Sequence, residues 1–171
     1  GLVVDLVPNH MATPVPVSQS APLWSLLRQG PASPYARWFD IDWAAQDGKV
    51  LWPVLGAPVD EVLAAGELTL DRVDGERVVR YFEHVLPLSP DSDPDRMPLG
   101  SLLEQQHYRL ASWREAGTAL NYRRFFDVTS LIGVRVEDQE VFEATHRLIA
   151  DAVQSGQVDG LRIDHPDGLA D

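Results

Sequence analysis

Asp159-Gly160-Leu161-Arg162-Ile163-Asp164-His165-Pro166-Asp167-Gly168 is the stretch on which the fold turns. Its middle reads as a short strand. Alternation sends Leu161 and Ile163 to one face and Arg162 and Asp164 to the other. Proline and glycine then stop it. A guanidinium two residues away on the same face favours the ionised form of Asp164. An ionised, oriented carboxylate at the C-terminal end of a strand is what the nucleophile of a retaining glycosidase requires. A strand-end salt bridge without a catalytic role fits the same stretch.

The start of the chain resolves that choice. Gly1-Leu2-Val3-Val4-Asp5-Leu6-Val7-Pro8-Asn9-His10 is a nearly continuous apolar run, the pattern of a strand buried on both faces in a parallel sheet. It too ends in polar groups, Asp5, Asn9 and His10. Two such strands predict a shared site at one edge of a parallel sheet, where barrels place their chemistry. Residues 137–156 predict the helix that delivers the chain into the second strand. Val141, Phe142, Leu148, Ile149, Ala152 and Val153 form its apolar stripe. Glu137, Asp138 and Glu140 load the first turn, and Gly156 ends it. His146, beside the stripe, is read as structural. Helix plus strand make half of a βαβ unit. A crossover needs only a dozen or so residues with its helix, so the long span 11–135 predicts an inserted subdomain over the active-site face.

Within that insert, residues 22–30 read as a short helix closed by Gly30. Tyr35, Trp38, Phe39 and Trp43, beside Asp40 and Asp42, suit either sugar stacking or a small aromatic core. Residues 49–55 read as a strand that Pro53 pushes to an edge. Residues 67–73 and 76–82 flank Asp74-Gly75, a type I′ hairpin signal. Residues 89–98 form an acidic surface loop. Residues 99–117 switch to helical period, with Leu102, Leu103, Gln106, Leu110 and Trp113 on one face and His107 as a structural group. In Leu120-Asn121-Tyr122-Arg123-Arg124-Phe125-Phe126-Asp127 the arginines are expected to bridge carboxylates.

The 171 residues carry a net charge of −12, which repels phosphate backbones and anionic lipid; nucleic acid and membrane are excluded as partners, whereas a neutral sugar is unaffected. With no cysteine there is neither a disulfide framework nor a thiolate metal site. No apolar run approaches the roughly 18 residues of a membrane span. The absence of an initiator methionine and the abrupt entry into a strand predict an internal fragment of a longer protein.

Asp5-x-Val7-x-Asn9-His10 together with Gly160-x-Arg162-x-Asp164 resembles two motifs of the α-amylase superfamily (glycoside hydrolase family 13), the ends of its third and fourth barrel strands. Phe39-Asp40-Ile41-Asp42-Trp43, Gln105-Gln106-His107-Tyr108-Arg109-Leu110-Ala111, Leu120-Asn121-Tyr122-Arg123-Arg124-Phe125-Phe126 and His165 after Asp164 are similar, more narrowly, to the maltooligosyl trehalose synthase family. The resemblance implies an α/β fold, a partial (β/α)8 barrel from third to fourth strand. Residues 1–10 supply one strand, 11–135 the insert and 136–171 a helix and the next strand. It implies an intramolecular transglucosylase that converts the reducing-end α-1,4 bond of a maltooligosaccharide into an α,α-1,1 trehalose bond in the cytoplasm, with no cofactor and no metal. Asp164 matches the nucleophile and Arg162 the arginine that orients it. Asp5 and His10 match the sugar pocket, and His165 is expected to bind substrate with them. From position alone, the insert's aromatics and the block 121–126, with Asn121 and Tyr122 as its substrate-binding residues, are expected to form the enclosure that keeps water from the intermediate. Asn9 matches a calcium position of many amylases, an ion this family is not expected to need. The proton donor and a third carboxylate of the family fall beyond Asp171, so the 171-residue piece alone is expected to be inactive. The alternatives are an α-1,4-glucan hydrolase or transferase of the same superfamily, a metal-dependent barrel hydrolase using Asp5, His10, His165 and Asp167, and a non-catalytic glucan-binding module.

Overall fold

The computed structural model describes residues 1–166; Asp167, one of the alternative metal ligands, lies outside them. The fold is a mixed α/β arrangement of small sheets, clustered into two compact units.

The first unit comprises Gly1–Ala12, Arg37–Asp40 and the chain from Arg123 onward. Here β1 (Val3–Leu6) runs parallel to the last strand, Gly160–Ile163, with Asp5 opposite Arg162 and Leu6 opposite Ile163. A short strand, β2 (His10–Ala12), pairs antiparallel with Leu131–Gly133. The helix Gln139–Gln154 is capped by Asp138, whose carboxylate accepts from the Glu140 N–H, and is closed by Gly156 at φ 72°. The expected strand–helix–strand unit is therefore present. Phe39, Ile132, Val134, Val141 and Val158 form its core.

The second unit comprises Thr13–Ala36 and Ile41–Tyr122. It opens with α1 (Ala21–Gln29), capped by Ser20 and ended, as the sequence predicts, by Gly30. β3 (Val50–Leu55) follows, its register broken between Trp52 and Leu55, around Pro53. After α2 (Val59–Ala64) comes a meander of β4 (Leu68–Val73), β5 (Glu76–Tyr81) and β6 (His84–Pro87). Asp74 and Gly75, at φ 50° and 86°, make the predicted type I′ turn. The chain continues through α3 (Leu99–Glu104), β7 (Tyr108–Ser112) and α4 (Ala116–Ala119). In the first unit the remaining elements are then β8 (Leu131–Gly133), α5 (Gln139–Gln154) and β9 (Gly160–Ile163).

The helix expected over 99–117 is corrected. It stops at Glu104, and β7 runs parallel to β3, with Tyr108 opposite Val50. The buried Gln106 explains the stop. Its amide donates to the Leu102 carbonyl at 2.6 Å and accepts from the Ser89 N–H at 2.7 Å, anchoring the chain where a helix would have continued. β7 is buried along most of its length, so it lacks the polar alternation that marks a half-buried strand. Tyr108 is fully enclosed and donates to the Pro87 carbonyl at 3.0 Å; burial pushes its hydroxyl pKa far up.

Gly30 fixes how α1 meets this anchor. It sits at φ 56°, ψ −133°, and a Cβ there would lie 2.7 Å from Nδ1 and 2.9 Å from Cβ of His107. Gly30→Ala combines a disfavoured backbone with a clash near the His107 main chain, and is expected to cost about 3 kcal/mol in urea unfolding.

The expectation that β1 is buried on both faces is also corrected. Val3 is 65% exposed, and Leu161 and Ile163 are open as well. Among the described residues β1 and β9 pair only with each other, so their outer faces have no cover. On α5, Phe142, Leu148 and Val153 of the predicted stripe are likewise exposed, whereas Val141 is buried. A groove of about 660 Å³ runs between these surfaces, lined by Leu6, Phe142, Ile149, Val153, Leu161 and Ile163.

Candidate active site

Parallel pairing of β1 with β9 puts Asp5 and Arg162 in register, and the Asp164 N–H donates to the Leu6 carbonyl at 2.9 Å. Arg162 thus stands between two carboxylates: Nη1 lies 3.4 Å from Asp5 Oδ2 and Nη2 lies 3.3 Å from Asp164 Oδ1. All three side chains are open to solvent. The predicted juxtaposition of Arg162 and Asp164 on one face is therefore seen, and Asp5 joins them.

The turn after β9 supplies a second layer. His165 adopts φ 52°, a conformation tolerated by few non-glycine residues, and its ring nitrogen Nε2 lies 3.7 Å from Asp164 Oδ2. Asn9, only 2% exposed, holds this turn: its amide donates to the His165 carbonyl at 2.9 Å. The oxygen of the same amide lies 2.6 Å from Nδ1 of His10. The His10 ring stacks on Phe125 with centroids 3.9 Å apart, and Phe125 meets His165 edge-on at 5.1 Å. Burial, then the neighbouring His165, hold the His10 imidazole below its ordinary pKa, against the opposing pull of Asp164.

Asp5, His10, Arg162, Asp164 and His165 are thus gathered in the first unit. Asn121 and Tyr122 belong to the second, where both are buried. The Asn121 side chain donates to the carbonyls of Asp42 (2.9 Å) and Lys49 (2.8 Å) and accepts from the Leu51 N–H (2.9 Å). All its hydrogen-bonding directions but one lone pair are used, so Asn121 is a strut of its unit and not a group offered to a ligand. Tyr122 packs against Trp52 with ring centroids 6.2 Å apart. The aromatic stretch at 35–43 is divided in the same way. Phe39, 1% exposed, is core of the first unit and bridges Val134, whereas Tyr35 and Trp43 lie half-buried in the second. Arg123 bridges Asp40 and Glu137, as expected of it.

Sequence reading takes Phe125 only as part of the block 120–127 and gives it no role of its own. Isolated bridges join Tyr122 to Ile41 and Arg124 to Ile132. In extended chain the odd-numbered side chains then point away from the even-numbered ones. That period-two signal was available in the sequence, and it separates Phe125 from Tyr122.

Strand-end carboxylates bridged by an arginine, with imidazoles alongside, offer an anionic side chain that could act as a nucleophile. The chain is homologous, over its whole length, to maltooligosyl trehalose synthase. A Mycobacterium tuberculosis protein of that name is 42% identical over 171 residues, all of this chain and 21% of the relative. Among solved structures, maltooligosyltrehalose synthase from Arthrobacter ramosus is 45% identical with a TM-score of 0.86, over 99% of this chain and 21% of that one. A Sulfolobus tokodaii hypothetical maltooligosyl trehalose synthase is 33% identical with a TM-score of 0.79, over 99% of this chain and 21% of its own. No family model matches. The chain thus spans about a fifth of the length of the relatives it matches.

Proposed function

We propose that this chain carries part of the active site of an intramolecular transglucosylase, one that turns the reducing-end α-1,4 bond of a maltooligosaccharide into an α,α-1,1 trehalose bond. The observation that carries the reading is the Asp5–Arg162–Asp164 cluster at the ends of paired parallel strands, in a chain homologous throughout to maltooligosyl trehalose synthase. Asp164 attacks the anomeric carbon and forms the glycosyl-enzyme, and Arg162 fixes its carboxylate. Asp5, His10 and His165 line the pocket of the reacting glucose. Retaining chemistry needs a second carboxyl about 5 Å from the nucleophile to protonate the leaving oxygen. Asp5 is engaged by Arg162 at 3.4 Å, and in this reading that group comes from chain outside these residues. The rest of the reading is a partial (β/α)8 barrel, with strands at 1–10 and in 136–171 and an insert at 11–135, in a cytoplasmic enzyme without metal or cofactor.

Transfer competes with water, and the released glucose must be held, turned and returned to the intermediate before hydrolysis. The full chain, that is the longer protein of which these 171 residues are read as a part, is therefore expected to lower the reducing-end titre of maltohexaose without shortening the glucan. Shorter products with more reducing ends would assign it instead to the glucan hydrolases.

A further inference from the structure

We propose that Asn9 and Phe125 are positioning residues that hold His10 in its Nδ1–H form, so that its Nε2 accepts a hydrogen bond from a sugar hydroxyl. The naming of the sugar rests on the transglucosylase reading; the state of the imidazole does not.

Asn9 decides the tautomer. Its NH2 is committed to the His165 carbonyl at 2.9 Å, which fixes the orientation of the amide. The atom facing His10 Nδ1 at 2.6 Å is then the carboxamide oxygen, which can only accept. Nδ1 must be the donor and carry the proton. The opposite tautomer would press two lone pairs together at hydrogen-bonding distance, next to a side chain with 2% exposure and no room to turn away. In a neutral ring the remaining nitrogen, Nε2, is an acceptor.

Phe125 sets the ring plane. Its face covers the imidazole at 3.9 Å and 25°, and its edge-on contact with His165 ties the two histidines to one aromatic wall. Among the described residues, Asn9, Phe125, His165 and Asp164 face His10. Burial and His165 favour the neutral ring, and Asp164 opposes them. The hydrogen bond fixes the tautomer and the stacking fixes the ring plane.

The consequence is a third acceptor beside the two carboxylates. Asp5, Asp164 and His10 Nε2 all accept, and Arg162, between the carboxylates, keeps N–H groups that can donate. Such a set suits a neutral polyol, whose hydroxyls both give and take hydrogen bonds.

The test uses the full chain with isotope-labelled histidine, His10 being assigned by the signal lost in His10→Gln. At neutral pH the ligand-free protein is expected to show the Nδ1–H tautomer at His10. Asn9→Asp places an anion on Nδ1 and is expected to convert the ring to imidazolium at the same pH. It should also move the acid limb of kcat/KM upward and lower kcat/KM about 10- to 100-fold, the usual effect of losing a group that orients a site ligand. Phe125→Leu leaves the Asn9 bond intact and is expected to keep the Nδ1–H signature while lowering kcat/KM about tenfold. An Nε2–H ring or an imidazolium in the unsubstituted protein overturns the proposal, as does an unchanged His10 spectrum in Asn9→Asp. The expected spectra in a protein that leaves maltohexaose untouched would uphold the clamp and sink the transglucosylase reading.

Discussion

Asp164→Asn in the full chain is expected to lower maltohexaose rearrangement by at least about 10⁴-fold, the scale seen when a group that bonds covalently to substrate is removed. The amide has the shape of the carboxylate but cannot attack the anomeric carbon, so the loss falls on kcat while the sugar pocket is unchanged. The same substitution breaks the 3.3 Å contact to Arg162 but leaves the 3.4 Å pair between Arg162 and Asp5. Arg162 and Asp164 are 64% and 38% exposed, and pairs that open to water contribute roughly 0–1 kcal/mol. Thermal unfolding should therefore be almost unmoved. Loss of turnover at constant stability is the signature of a nucleophile. Retention of turnover within tenfold would remove Asp164 from that role.

The cluster was legible because each of its parts is local. Leu161-Arg162-Ile163-Asp164 fixes by alternation which side chains share a face, and an apolar run ending in Asp5 announces a partner strand of the same kind. Register is a non-local property, yet two short strands with their polar groups at the same end have few ways to pair. The hairpin at Asp74-Gly75 and the helices closed by Gly30 and Gly156 were legible for a similar reason: each depends on one residue that tolerates positive φ. What escaped depended on tertiary company. β7 satisfied a helical period in the sequence, and only the enclosed Gln106, bonded to Leu102 and Ser89, ends the helix ahead of it. Burial on both faces of β1 was inferred from composition, but composition does not state which neighbours are present. The block 120–127 was recognised as special as a whole. Its division into Tyr122 packed on Trp52 and Phe125 stacked on His10 required the strand pairing that sorts odd from even positions.

Asn121 is where sequence and structure assign different jobs to one residue, and a substitution separates them. As a lining of the sugar enclosure, Asn121→Ala would raise KM or increase hydrolysis while leaving the fold intact. The structure points the other way. The side chain is 5% exposed, and removing it strands the Leu51 N–H and the carbonyls of Asp42 and Lys49. The Leu51 N–H is buried and costs about 1–3 kcal/mol without a partner, whereas the part-buried carbonyls of Asp42 and Lys49 cost less because water can reach them. A net loss of about 3 kcal/mol is therefore expected in urea unfolding of the full chain. Kinetic constants measured well below the new midpoint should stay within about twofold, because only the strut has gone. Asn121→Asp sharpens the contrast. It keeps an acceptor for Leu51 but loses both donors and buries a charge facing two carbonyl oxygens, so it should be at least as destabilising as alanine. A ligand-binding asparagine would instead tolerate aspartate better than alanine, since a carboxylate still accepts from sugar hydroxyls. The order of the two variants in stability, read beside an unchanged or raised KM, decides whether the insert holds the substrate through this residue or is itself held together by it.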